Sequence, residues 1–162
     1  MGKSTILHDL RDLAFDAGGG NSCPKCPCRF AAADSPDRCG QANFSIIARS
    51  ITRSDFTRLS FFNARVAGMS LAYGWINRIR DSLFTENHIG LHIWNQCNAV
   101  DITGCNFYGN ELPIIAEEGG QIKICGNTIE GSQGAAIIAS SIYGLTISSN
   151  SSKRTTWCVR CP

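Results

Sequence analysis

The sequence has few charged residues, no cluster of like charges and no long apolar run. Charged side chains make up 17% of its 162 residues, and 15 Lys and Arg against 13 Asp and Glu leave a net charge of +2. The longest basic run is Lys153-Arg154, so neither nucleic acid nor an anionic membrane is expected as a partner. No apolar stretch approaches the roughly 18 residues of a membrane-spanning helix, and residues 1–20 lack the pattern of a signal peptide.

What the sequence does contain is an internal repeat of 22 to 23 residues, clearest over residues 75–150. Segments 77–87, 100–110 and 122–132 align, and in each of them apolar and polar residues alternate between Gly, Asn or Ser interruptions. This alternation has the period of a β-strand and excludes a helix. Equivalent strands one repeat apart can pair in parallel about 4.8 Å apart. The repeat therefore predicts one domain over residues 1–162, an all-β solenoid of about five coils.

The alignment also predicts which side chains point inward and stack on their equivalents in the next coil. Four apolar columns are predicted: Ile79/Ile102/Ile124/Ile147, Phe84/Phe107/Ile129, Leu91/Ile114/Ala136 and Ile93/Ala116/Ile138. A polar column at an inward turn predicts a partial ladder of hydrogen bonds between coils, and its members are Ser82/Cys105/Asn127/Asn150. Cys97, Cys105 and Cys125 are interpreted as small buried residues.

Two segments break the repeat. Residues 18–43 are rich in Gly, Pro and Cys and predict an inserted loop. Residues 151–162 form an irregular tail, and because the pattern stops in mid-coil, one hypothesis is a chain truncated or shifted out of frame near Asn150. The Cys-x-x-Cys pairs in these segments leave a structural zinc site, disulfides and unpaired thiols open as alternatives. The zinc ligands would be Cys23, Cys26, Cys158 and Cys161.

Three segments carry a family resemblance: Gly-Leu-His-Ile at 90–93, Ile-x-x-Cys-x-Phe-x-x-Asn at 102–110 and Ile-Cys-Gly-Asn-Thr-Ile-Glu-Gly at 124–131. They resemble repeats of the right-handed parallel β-helix proteins of the pectate-lyase-like superfamily. The resemblance implies a right-handed parallel β-helix that binds or cleaves polysaccharide in a groove along an outward sheet face. It also implies an extracellular or virion-surface location, a trimer if the protein is tailspike-like, and no cofactor other than the calcium that some members use.

Outward-facing residues are the candidates for chemistry. Arg78, Asp101 and Lys123 occupy equivalent positions on successive coils, which fits a surface ion-pair ladder. It also fits uronide chemistry of the kind the resemblance implies, in which Lys123 would take a proton next to a carboxylate while Arg78 stabilises the developing charge.

A further outward column, Ser70/His92/Ile115/Ile137, contains the fourth candidate catalytic residue, His92. Trp94 and Trp75 are candidate sugar-stacking residues, although an outward Trp can also simply cover a sheet. Two functions remain open at this point. One is a polysaccharide lyase or tailspike-like depolymerase, a glycosidase being in doubt because the chain has no Asp-Asp pair. The other is a non-catalytic structural or carbohydrate-binding module, or a fragment of a larger surface protein, which explains the scarcity of carboxylates better.

Overall fold

The computed structural model describes residues 13–14 and 44–153, and every regular element in that part of the chain is a β-strand. In chain order the strands are β1 (Leu13–Ala14), β2 (Phe44–Arg49), β3 (Asp55–Thr57), β4 (Ser60–Phe62), β5 (Ala67–Ala72), β6 (Arg78–Arg80), β7 (Leu83–Thr85), β8 (Ile89–Trp94), β9 (Asp101–Thr103), β10 (Asn106–Tyr108), β11 (Leu112–Gly120), β12 (Lys123–Cys125), β13 (Thr128–Glu130), β14 (Ile137–Tyr143), β15 (Thr146–Ser148) and β16 (Ser151–Lys153). The described residues include no helix that is long and apolar enough to cross a membrane.

The strands form three sheets that run the length of a solenoid. Sheet A has the order β1-β2-β5-β8-β11-β14, sheet B the order β3-β6-β9-β12-β15, and sheet C the order β4-β7-β10-β13-β16. From β2 onward each coil contributes one strand to each sheet, and all neighbours between coils pair in parallel. The predicted all-β parallel solenoid of about five coils is therefore confirmed. The two-residue strand β1 does not extend this parallel arrangement, because it pairs antiparallel to β2.

The interior is built from like residues stacked on like, as the repeat predicts. Ile79, Ile102 and Ile124 lie in register on sheet B and are fully buried. On sheet C the rings of Phe61, Phe84 and Phe107 stack with centroids 4.7 Å apart at each step. This distance equals the spacing between parallel strands, so each ring packs flat on the ring of the next coil.

The last coil corrects three of the predicted columns, two inward and one outward. Leu91 and Ile114 stack on Ile137 rather than Ala136, and the Ile93 column continues to Ala139 rather than Ile138. Ile114 follows Tyr108 by six positions, whereas Ile137 follows the equivalent Glu130 by seven. This one-residue insertion in the turn exchanges the two faces of β14. Ile137 is consequently fully buried on the inner face, and Ile138 takes its place in the outward column of His92.

The predicted ladder of turn residues is present. Asn127 Oδ1 accepts the Cys105 N–H at 2.9 Å, and its Nδ2 donates to the Ile102 carbonyl at 3.0 Å. Asn150 does the same for Asn127 and Ile124. These bonds satisfy backbone groups that the turn would otherwise bury without a partner.

A second ladder of asparagine side chains lies at the turn between sheets C and A, and it was not predicted from the sequence. Asn110 Oδ1 accepts the backbone N–H of Asn87 at 3.0 Å, while Asn110 Nδ2 donates to the Phe84 carbonyl at 2.8 Å. The two asparagines are 23 residues apart and close successive repeats, so their spacing in the sequence carried the signal.

The cysteine predictions have mixed outcomes. Cys97 and Cys105 are fully buried, as expected. Cys125 is only partly buried because it lies on the outward side of β12, where the Ser148 hydroxyl donates to its sulfur at 3.1 Å. The prediction of a buried residue was wrong there, since Cys125 neighbours the inward Ile124 on a strand whose side chains alternate. The inserted loop, the tail and the zinc ligands Cys23, Cys26, Cys158 and Cys161 lie outside the described residues.

Candidate functional site

The six residues singled out from the sequence do not form one site. Arg78, Asp101 and Lys123 begin successive strands of sheet B and lie in direct register, as predicted. His92 and Trp94 project from β8 on the outer face of sheet A. Trp75 lies at the turn that joins sheet A to sheet B. The fold thus separates the candidates over two sheet faces and one corner.

On sheet B, the ion pairs form one coil earlier than the sequence suggests. Asp55 contacts the guanidinium groups of both Arg78 and Arg80, at 3.8 and 3.2 Å. Asp101 instead accepts a 2.7 Å hydrogen bond from the Thr103 hydroxyl. Within the described residues it makes no ion pair with either neighbouring cation. The role of Asp55 was missed, although its position 23 residues before Arg78 was a usable signal.

On sheet A, Trp94 is at the centre of a group of contacting side chains, which we call the sheet A cluster: Arg49, Ser70, His92, Trp94 and Glu117. The indole N–H of Trp94 donates to the Ser70 hydroxyl at 2.9 Å. The His92 ring lies nearly parallel to the indole with centroids 5.6 Å apart, and the Arg49 guanidinium is 5.9 Å from the indole centroid. His92 Nε2 is in turn 3.2 Å from Glu117 Oε2.

These contacts explain why part of the outer face of sheet A is buried from solvent. Ser70 and Ala72 point outward from β5, yet both are buried. Ser70 binds the indole of Trp94, and Ala72 lies in register with Trp94 on the adjacent strand. A large ring over two small residues fills this surface. Trp94 is thus held in place by partners within the protein.

A different arrangement occurs at the turn between sheets A and B. Isolated bridges and the register of β14 align one residue from each coil there, a set that we call the corner column: Thr52, Trp75, Asn98, Gly120 and Tyr143. Trp75 is 55% exposed and Tyr143 is 64% exposed. Asn98 Nδ2 donates to the Tyr143 hydroxyl at 2.9 Å.

Gly120 determines where the Tyr143 ring lies. A Cβ atom at position 120 would collide with the ring carbons of Tyr143, so the ring lies directly against the glycine backbone. The ring therefore sits over the fourth coil although its Cα belongs to the fifth. Sequence reasoning missed Asn98 and Tyr143, even though both lie 22 or 23 residues from Gly120.

The two buried thiols, Cys97 and Cys105, stay protonated at neutral pH. Burial raises the pKa of the Cys105 thiol to about 11, with smaller opposing effects from backbone hydrogen bonds. Burial likewise raises the pKa of Cys97, whose sulfur contacts the backbone of Gly74 and Leu71. Because the thiolate is the form that attacks electrophiles and binds metals, neither residue is a reactive group at neutral pH.

Comparison with known proteins gives a family. The model of a family described as periplasmic copper-binding protein (NosD) matches residues 40–160, which is about three quarters of the chain. The chain belongs to the NosD family. This family has the right-handed parallel β-helix of the pectate-lyase-like fold, so the resemblance seen in the sequence is confirmed at the level of fold. The search of curated proteins gives no match.

The description of the NosD family implies copper, which restricts the side chains that could serve as ligands. Copper(I) favours Cys and Met, and copper(II) favours several imidazole or oxygen ligands in one plane. Among the described residues no three His, Cys, Asp or Glu side chains converge. Two His-carboxylate pairs are present, His92 with Glu117 and His88 with Glu111. Neither pair has a third His, Cys, Asp or Glu converging on it, so the described residues form no preassembled copper site from these four ligand types.

Proposed function

We propose that this NosD-family chain is a non-catalytic β-helix module that binds polysaccharide along the corner column. The description of the family as periplasmic supports a location outside the cytoplasm. The observation that supports binding most is the alignment of two exposed aromatic rings with an amide between them. Trp75, Asn98 and the Tyr143 ring over Gly120 occupy three successive coils.

The chemistry of these three groups suits a sugar chain. An aromatic face offers an apolar surface of the right kind for the C–H face of a pyranose ring, while amide and hydroxyl groups bind its polar edge. With coils about 4.8 Å apart, the two rings are separated by roughly 10 Å along the solenoid axis. A linear polymer lying parallel to the axis would contact both rings and the amide.

The catalytic alternative has less support. A lyase site needs a base and a charge-stabilising group that converge on one substrate atom. Lys123 and Arg78 are separated by the coil of Asp101, and His92 is on another sheet in contact with Glu117. Binding requires no such convergence.

The test is affinity electrophoresis and calorimetry of the whole chain against a panel of soluble polysaccharides. Trp75→Ala and Tyr143→Ala should each weaken binding by about tenfold or more, as expected for truncation of an aromatic anchor. Tyr108→Ala is the matched control because Tyr108 is 56% exposed but lies on sheet C. Its affinity should equal that of the wild type.

Two results would overturn the proposal. The first is an affinity that Trp75→Ala and Tyr143→Ala leave unchanged. The second is the release of ultraviolet-absorbing unsaturated ends from a uronide polymer, lost in Lys123→Ala, which would establish the lyase instead.

A further inference from the structure

The corner column has a charged counterpart on sheet B. In each coil, the residue three positions after the corner residue begins the sheet B strand. Trp75 is followed by Arg78, Asn98 by Asp101, and Gly120, which carries the Tyr143 ring, by Lys123. The two coils that present an aromatic ring therefore also present a cation, and the coil between them presents an amide and a carboxylate.

Arg78, Asp101 and Lys123 do not neutralise one another through ion pairs. Asp101 is bonded to the Thr103 hydroxyl, and within residues 44–153 Lys123 makes no ion pair. Arg78 shares the single carboxylate of Asp55 with Arg80. One carboxylate cannot neutralise two guanidinium groups, so the group formed by Asp55, Arg78 and Arg80 keeps a net positive charge.

From this alternation we infer that the bound polymer alternates acidic and neutral sugar residues, an inference that rests on the proposed function. Acidic residues would stack at Trp75 and Tyr143 with their carboxylates or sulfates toward Arg78 and Lys123. The neutral residue between them would bind Asn98 through its hydroxyl groups. The repeating disaccharide would span two coils, roughly 10 Å.

The carboxylate of Asp101 gives the site its selectivity. A polymer with an acidic group on every residue would place one of them beside Asp101, and like charges at that distance repel. A neutral polymer would gain hydrogen bonds but no charge attraction from Arg78 or Lys123. The column therefore favours an alternating polymer over both a homopolymeric uronide and an uncharged glucan.

The experiment compares three probes at low ionic strength: hyaluronan, in which acidic and neutral residues alternate, polygalacturonate and dextran. The wild-type chain should bind hyaluronan about tenfold more tightly than either of the others, and salt should reduce this preference. Arg78→Gln and Lys123→Gln should each reduce the preference over dextran several-fold. Asp101→Asn should raise the affinity for polygalacturonate more than the affinity for hyaluronan, because only polygalacturonate places a carboxylate directly beside Asp101. Lys153→Gln, which removes a cation on sheet C, is the matched control and should change none of these ratios.

The outcomes separate this inference from the function beneath it. Equal binding of dextran and hyaluronan, with both lost in Trp75→Ala, would overturn the alternating polymer and leave the binding module standing. Failure of all three probes and of the wider panel would overturn both. Tighter binding of a single-stranded oligonucleotide than of hyaluronan would also overturn the inference, because the cations would then serve a phosphate backbone.

Discussion

The two outward tryptophans of this β-helix have the same chemistry and opposite surroundings. Trp94 has its N–H bonded to Ser70 and its ring in contact with His92 and Arg49, and the residues beneath it are dry. Trp75 is more than half exposed at a corner. An outward aromatic residue therefore says little by itself; what separates a structural from a functional role is whether the protein already supplies its partners.

The largest expected effect that tests this contrast is on stability. Trp94→Ala should lower the free energy of unfolding by about 2 kcal/mol, because it removes one hydrogen bond and uncovers Ser70 and Ala72. Trp75→Ala is the matched control, and because the Trp75 side chain is more than half exposed it should cost clearly less than Trp94→Ala. Urea denaturation measures both. Equal losses in the two variants would remove the distinction.

The same contrast between enclosed and exposed side chains applies in the interior, where the buried Cys105 thiol affects the stability of the fold in a way that depends on pH. Burial raises the pKa of Cys105 to about 11 from an ordinary 9.0. Between these values the unfolded chain releases the proton while the folded chain keeps it, so the folded state loses stability as pH rises and is unaffected below about pH 9. The loss reaches about 2 kcal/mol near pH 11.

Cys105→Asn tests this directly. Asn has no titrating proton, and it can make the two bonds that Asn127 makes one coil later. Between pH 8 and pH 11 the variant should therefore gain stability relative to the wild type, and Cys105→Ser provides a second variant if the larger side chain does not fit. Parallel pH profiles for wild type and both variants would show that the thiol is not the source of the alkaline loss.

The smallest expected effect on stability concerns the exposed corner column, at Gly120 and the Tyr143 ring. Gly120→Ala should displace the Tyr143 ring into solvent, at a cost below about 1 kcal/mol because the ring is already exposed. Polysaccharide affinity should nevertheless fall as far as in Tyr143→Ala. In the Tyr143→Ala background, Gly120→Ala should have no further effect on affinity, which a double-mutant cycle measures. Additive losses would mean that Gly120 acts by another route.

Much of the fold was predictable because the repeat is local and regular. Ile79, Ile102 and Ile124 occupy the same place in successive repeats, and alternation along a strand fixes which side faces inward. Among these columns the prediction was wrong at β14, where one inserted residue before Ile137 exchanged the faces. No rule of composition distinguishes Ala136 from Ile137 there, since both are apolar; only the pairing of complete strands shows the register.

The candidate site was less predictable, because it depends on residues from turns. Trp75 was identified, but Asn98 and Tyr143 were not, since neither belongs to a strongly alternating run. Their association depends on the missing side chain of Gly120, which lets a ring from the next coil lie across the backbone. The register of Arg78, Asp101 and Lys123 was predicted, whereas the pairing of Asp55 with two arginines was not.

The sequence by itself determined the coil, because a 22 to 23-residue period with strand alternation can bury its apolar side only by stacking each repeat on the next. The tertiary structure alone decided which outward side chains are satisfied by protein partners and which remain free. The physical reason is the difference between regular spacing along the chain and side-chain contacts between different coils. Burial columns follow from spacing along the chain, whereas a hydrogen bond between Asn98 and Tyr143, or between Trp94 and Ser70, depends on side-chain reach across one or two coils.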